Sequence, residues 1–313
     1  MKAPFLPVLV FAAASNSVLA VGACSGEGEG PTAPAGLDGG LAGDAAVGGD
    51  AGGQGGGGGW PWPDDPEVVE ALAWSEAAFA EPGHEPFSFF LGGTASSALL
   101  PGWRVGHDWQ RLDELRALRT VEYRDPDSGL EIRVEVTERF DFPSLEWVVH
   151  LTHTGDADSP ILEAILPLDA DLGPAVPSGV CEVHHAAGSR GAIDDFAPRQ
   201  TALGPGDSLA LRPFEGRSSD GVLPFFNVAF PSGSGIVAGV GWSGQWAASL
   251  ARGSTGALRA QAGMEQTHLR LRPGESIRTP SILLLFWHGA DSYRGQVFLR
   301  RLLRRHYTPE AAR

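Results

Sequence analysis

From Leu130 to Val136 apolar and charged residues alternate one for one, with Leu130, Ile132, Val134 and Val136 set against Glu131, Arg133 and Glu135. Successive side chains of a strand point to opposite faces, so the pattern predicts a strand with one buried and one wet face. Leu145 to Leu151 repeats it through Leu145, Trp147, Val149 and Leu151. Thr120 to Tyr123 precedes the first run across Asp125-Pro126-Asp127-Ser128-Gly129, which is turn chemistry. Further strands are predicted at Phe87–Leu91, Ile161–Leu168, Val180–His184, Leu209–Arg212, Thr267–Leu271 and Pro280–Trp287. The last is an unbroken apolar run, which predicts a strand covered on both faces. Leu99 to Trp103 reads as a loop.

Two more apolar runs, Leu223–Phe230 and Ile236–Trp242, flank the short Gly-bearing stretch Pro231 to Gly235 and predict a hairpin. Helix is sparse. Asp65-Pro66-Glu67 opens a short one through Phe79, since an acid caps it and Pro suits its first position. Tyr293 to His306 places Val297, Leu299, Leu302, Leu303 and His306 at helical spacing, with arginines mostly on the other faces. Many strands, turn-rich connections and little helix imply a mainly β fold, a large antiparallel sandwich over residues 61–290, followed by a C-terminal helix and tail over 291–313.

The first sixty residues have no such periodicity. Residues 1–24 read as an export signal, with Lys2, an apolar stretch Phe5–Ala14 too short to span a membrane, and small residues after it. Val21-Gly22-Ala23-Cys24 has the shape of a lipobox, which makes Cys24 a candidate lipidated terminus; an ordinary cut after Ala20 is the alternative. Residues 25–60 hold sixteen glycines among Ala, Pro, Asp and Glu, a composition that cannot bury apolar surface and predicts a disordered linker. With Cys24 lipidated, Cys181 is left without a disulfide partner, so a hydrophobic core must stabilise the domain. The expected location is outside the cytoplasm, anchored to a bacterial envelope, or secreted or periplasmic if the alternative cut holds.

The formal charge is -15, lysine is almost absent, and this balance argues against a nucleic-acid partner. Gly239-Val240-Gly241-Trp242-Ser243-Gly244 matches the dinucleotide fingerprint only as letters. That motif needs a helix to follow, and Gln245–Ala251 is short and broken by Gly253 and Gly256. Gly241 to Gln245 misses the serine-nucleophile elbow by its last residue. His184 and His185 point apart on an extended chain, as do Asp194 and Asp195, and Glu146 falls on a polar strand face. No spacing supports zinc, and neither metal nor cofactor is expected.

The chain resembles the N-terminal domain of family 36 glycoside hydrolases, the bacterial α-galactosidases. The resemblance spans Pro86 to Tyr307 and rests on FSFFLGG and SSALLPGW (within Phe87–Trp103), YRDPDSGLEI (Tyr123–Ile132), Phe142-Pro143, Glu146-Trp147 and DDFAP (Asp194–Pro198). It continues through GRSSDGVLPFFN (Gly216–Asn227), GWSGQW (Gly241–Trp246), GMEQTHLRLRPGESIRTPSILLLFWHG (Gly263–Gly289) and RRLLRRHYTP (Arg300–Pro309). It implies a galactose-mutarotase-like β-supersandwich whose last helix connects to a catalytic (β/α)8 barrel. It also implies retaining hydrolysis of α-galactosides by two carboxylates about 5 Å apart. Both belong to the barrel, which takes about 250 residues; no catalytic residue is therefore expected in this chain. The barrel would act in cis or in trans, and a homo-oligomer is possible in such a family. Carbohydrate-facing candidates are Trp103, Asp195, Arg217, Trp242, Gln245 and Trp246, since aromatic faces suit sugar rings and Asp, Arg and Gln bind hydroxyls. A sugar-binding lipoprotein without hydrolysis, or a subunit pairing with a separate barrel, are the other two readings.

Overall fold

Asp65 sets the first element. Its Oδ1 accepts from the Glu67 backbone N at 2.9 Å, and Pro66 takes a first-turn position where a missing N–H costs nothing. The helix that follows, α1 (Pro66–Phe79), runs where the sequence predicts it. The structure, a computed structural model, describes residues 65–80 and 83–308. The export signal, Cys24, the glycine-rich linker and the extreme C-terminal tail lie outside the described residues.

After α1 come β1 (Ser88–Leu91), β2 (Thr94–Ala95), α2 (Ser96–Leu99), β3 (Arg104–Arg111), β4 (Arg116–Arg124), β5 (Leu130–Arg139) and β6 (Ser144–His153). The chain continues through β7 (Leu162–Leu166), β8 (Leu168–Leu172), β9 (Cys181–Ala186), β10 (Pro198–Leu203), β11 (Ser208–Leu211), β12 (Phe225–Ala229) and β13 (Ser234–Gly241). Then β14 (Trp246–Arg252), β15 (Leu258–Met264), β16 (His268–Leu269), β17 (Ser276–Arg278) and β18 (Ser281–His288) lead to α3 (Tyr293–Leu302) and a wide last turn, Leu303–Tyr307.

Strand pairing is antiparallel throughout the described residues. The largest sheet runs β10-β9-β12-β13-β18-β6-β5-β4-β3, with β17 also on β6; β16-β7-β1-β2 and β11-β14-β15-β8 form two smaller ones. One hydrophobic core joins all three, drawing Val134, Trp147 and Phe286 from the large sheet, Phe89 and Leu162 from one small sheet, and Trp246 and Leu250 from the other. This is the large antiparallel sandwich the alternating pattern calls for.

The unbroken apolar run of β18 is explained by its two covered faces. Ile282, Leu284 and Phe286 enter the main core, while Leu285 and Trp287 join Val237 and Leu302 in a second core beneath α3. On the first face α1 brings Trp74 and Phe79 to ring distances of 5.8 and 5.6 Å from Trp147. The two helices therefore cover opposite faces of one sheet.

Four sequence expectations are corrected. Ile161–Leu168 is two strands in two sheets, because Pro167 has no N–H for a ladder; its carbonyl instead accepts from Trp147 Nε1 at 2.8 Å. Leu99–Trp103 is helical, α2 running into a short 3-10 turn at Leu100–Gly102. Thr267–Leu271 yields only the short β16. Asp194 and Asp195 lie in a turn, so they do not alternate across a strand. The glycine fingerprint leads from β13 into β14, strand into strand, and has no helix terminus to receive a phosphate.

Candidate functional site

Two connections meet at one end of the β12–β13 hairpin: residues 187–197 between β9 and β10, and residues 212–224 between β11 and β12. Gly188 makes the meeting possible. A Cβ there would lie 2.0 Å from the Ser219 carbonyl oxygen, so only glycine lets the two backbones touch. Ser189 N then donates to Ser219 O at 2.9 Å, and Leu223 N to Ala186 O at 3.1 Å.

Each loop is closed by its own aspartate. Asp195 accepts from Ser189 Oγ at 2.8 Å and from the backbone N–H groups of Arg190 and Gly191 at 2.9 and 3.0 Å. The Arg190 amide and the Ser189 hydroxyl favour its charged form and hold its carboxyl down at about 2. Asp220, buried, receives Arg217 Nη2 at 3.0 Å and lies 3.7 Å from Arg190 Nε. Arg190 in turn lies over the Phe214 ring at 4.5 Å.

The pinned loops lift apolar side chains out of the protein. Ile193 is fully exposed, Phe196 and Phe214 are about 60% exposed, and all three come from these two loops. Phe196 also sits at φ 63°, a left-handed conformation that costs an L-residue about 1 kcal/mol. Beside them an open depression of about 430 Å³ is lined by Arg190, Asp194, Asp195, Arg199 and Phe214. The arginine heads donate hydrogen bonds, Asp194 accepts them, and the rings offer apolar faces, so the surface suits polyhydroxylated or protein partners.

Of the six expected residues, four converge here. Asp195 and Arg217 belong to the loops themselves. Gln245 joins them from the position just before β14, accepting from Gly216 N and donating to Pro213 O, both at 2.7 Å. Trp246 is wholly buried, and its Nε1 donates to Ser218 O at 2.7 Å. Its indole therefore anchors the loop from inside the core, and no ring face is left for a sugar. Trp242 is half-buried against the main core with Arg278 over its ring at 6.0 Å. Trp103 is elsewhere, buried in the core at 6.0 Å from the Phe89 ring. Neither Trp103 nor Trp246 reaches the surface, because each fills space between sheets that a smaller residue would leave empty. Glu146 is held by Arg139 and Tyr307, and His185 by Thr201.

Ile193, Phe196 and Phe214 were not singled out by the sequence. The available signal was position: three apolar residues inside stretches rich in Gly, Ser, Asp and Arg, where no strand or helix period would bury them.

No protein-family model matches the sequence, and no curated protein matches it. Solved structures do. A variant of the α-galactosidase AgaA from Geobacillus stearothermophilus, in complex with stachyose, aligns with a TM-score of 0.54 at 17% identity over 70% of this chain and 32% of its own. The α-galactosidase from Lactobacillus brevis gives 0.51 at 16% identity over 67% and 31%. AgaB from Geobacillus stearothermophilus, a GH36 α-galactosidase, gives 0.50 at 17% over 65% and 30%. The chain spans about a third of the length of these proteins, and the described residues carry the fold of that portion of GH36 α-galactosidases.

Proposed function

We propose that this chain is the β-sandwich of a family 36 type α-galactosidase. In that role it serves hydrolysis of terminal α-D-galactosides by holding and bordering a (β/α)8 barrel, in cis or in trans, that bears the two catalytic carboxylates. The carrying observation is the pinned loop pair with Ile193, Phe196 and Phe214 held in solvent. An apolar crest maintained against backbone strain is a surface shaped to meet something. The fold supports this reading: similar structures are α-galactosidases, and some were solved with stachyose or raffinose.

Asp195 fits a bordering role. A retaining glycosidase needs one carboxyl group with a raised pKa to protonate the leaving oxygen. Asp195 is displaced the other way and already accepts three hydrogen bonds, so it orders the loop. The exposed groups around it, Asp194 and the arginines, remain to contact sugar hydroxyls at the rim.

The test is release of nitrophenol from a nitrophenyl α-galactoside. The purified chain alone is expected to match the blank, and coexpression with the coding sequence downstream of its own is expected to give turnover. Replacing Ile193 and Phe214 together with serine should lower that turnover at least about tenfold while lowering stability by no more than about 1 kcal/mol, the lost Arg190–Phe214 contact included. Turnover by the chain alone overturns the proposal. Sugar binding with no barrel encoded nearby supports the non-hydrolytic lipoprotein instead.

The reading includes a location: exported and held at a bacterial envelope through lipidated Cys24, with the glycine-rich linker as tether. A lipobox-like sequence directly before a glycine-rich stretch supports it. Cys24→Ser is expected to move the protein from the membrane to the soluble fraction; unchanged partitioning counts against the anchor.

A further inference from the structure

The β12–β13 hairpin has a second end, and it too is concave. The five residues of β12 separate the loop pair from the Pro231–Gly233 turn by about 17 Å of strand. Beside that turn lies an open pocket of about 450 Å³, walled by Glu70 and Trp74 of α1, Asp171 of β8, Phe286 of β18, Ser232 of the turn and Ser234 at the start of β13. We propose that this pocket is a second, non-catalytic binding site for a neutral pyranose ring.

The chemistry of the walls selects the ligand. Trp74 is half-buried, and its indole is held in place by Trp147 at 5.8 Å and Phe286 at 6.2 Å, so the part of the ring that lines the pocket needs no further ordering. The C–H face of a hexose is the matching surface. Glu70 and Asp171 accept hydrogen bonds, and the hydroxyls of Ser232 and Ser234, 2.9 Å apart, both donate and accept. No basic side chain lines the pocket and two carboxylates do, which disfavours phosphate, sulfate and uronate there.

An organic cation is the competing occupant, since carboxylates around an indole also suit an ammonium group. Neither carboxylate is without a partner. Glu70 Oε2 lies 2.6 Å from His288 Nε2, and Asp171 Oδ1 lies 3.7 Å from Arg259 Nη1. Each carboxylate thus already has a partner and keeps acceptor lone pairs free for hydroxyls, and titration with choline decides between the two occupants. What remains is a set of positioned acceptors and hydroxyls around an aromatic floor, which is recognition of a neutral polyol. The inference stands on this pocket and is independent of the loop pair.

The test is titration of the full chain with galactose, raffinose and choline chloride, followed by calorimetry and by ligand-observed NMR. Wild type is expected to bind galactose or raffinose and not choline. Trp74→Leu should weaken that binding about tenfold, the scale of losing an aromatic contact, and Asp171→Asn and Ser232→Ala severalfold. Asp171 and Ser232 are exposed, so their variants report on binding even if Trp74→Leu disturbs packing under α1. Arg217→Ala, at the far end of the hairpin, should remove only the loop face's share of any binding, so the share lost in Asp171→Asn and Ser232→Ala is read separately. Absence of any sugar binding by wild type, preference for choline, or binding indifferent to both Asp171→Asn and Ser232→Ala overturns the proposal.

Discussion

Gly188 is the residue on which the loop pair depends. The atoms a Cβ would meet, Ser219 O at 2.0 Å and Val222 N at 2.6 Å, are backbone and have no rotamer by which to move aside. Gly188→Ala is therefore expected to cost about 1–3 kcal/mol in urea unfolding, the usual range for overpacking. An unchanged midpoint would show that the loops separate freely. Asp195 makes the same junction sensitive to acid. Its carboxyl lies at about 2 in the folded protein against an ordinary value of 3.8. Its contribution is thus complete above about pH 4 and is lost as pH falls toward 2. Slowed exchange of the Arg190 and Gly191 amides, which donate to this carboxylate, should persist at pH 5 and fade between pH 4 and 2. Asp195→Asn should abolish that pH dependence, and a wild-type profile flat down to pH 2 would contradict it.

Among elements, the loop of residues 187–197 and strand β18 obey different rules. β18 satisfies its local pattern twice over, with Leu284 facing one core and Leu285 the other, and its apolar run announced that in the sequence. The loop departs from local preference: Phe196 holds a left-handed backbone and exposes its ring. Phe196→Gly relieves a strain of about 1 kcal/mol, offset in part by the greater freedom of glycine in the unfolded chain. Stability is then expected to be unchanged or slightly raised, while contact with the proposed partner weakens. A clear loss of stability in denaturant would mean that the ring supports the fold. The same contrast explains what could be read early. Alternation fixed β5 and β6, and Asp65 with Pro66 fixed the start of α1, because in each the local signal and the tertiary environment agree. β3 went unread because it is an edge strand exposed along nearly its whole length, so no buried face imposes a period on RVGHDWQR. Trp103 and Trp246 looked like ligand contacts because residue type alone does not tell a ring that fills a core from one that faces solvent.

At the scale of the whole sandwich, the two helices on opposite faces of the large sheet are joined by one carboxylate. Glu67 of α1, buried to 5% exposure, accepts from Arg294 of α3 at 2.9 Å and from the His288 backbone N at the end of β18. The helix that caps the main core and the helix that caps the second core are thereby tied around the end of the sheet. The Arg294 head is about half exposed, which screens the ion pair, whereas the Glu67 end is desolvated. Most of the energy at risk therefore lies in leaving Glu67's partners without an acceptor. Glu67→Gln keeps the shape and an oxygen for His288 N but loses the charge-assisted fork to Arg294, which should lower stability by about 1–3 kcal/mol. Glu67→Ala, which removes both contacts, should cost more. If the tie couples the two cores, the near-ultraviolet signal of the buried tryptophans and the far-ultraviolet signal of the backbone fall together in wild type. In Glu67→Ala they should separate, with α3 and the second core melting first. Coincident transitions in both proteins would show that the sheet alone keeps the two cores in one cooperative unit.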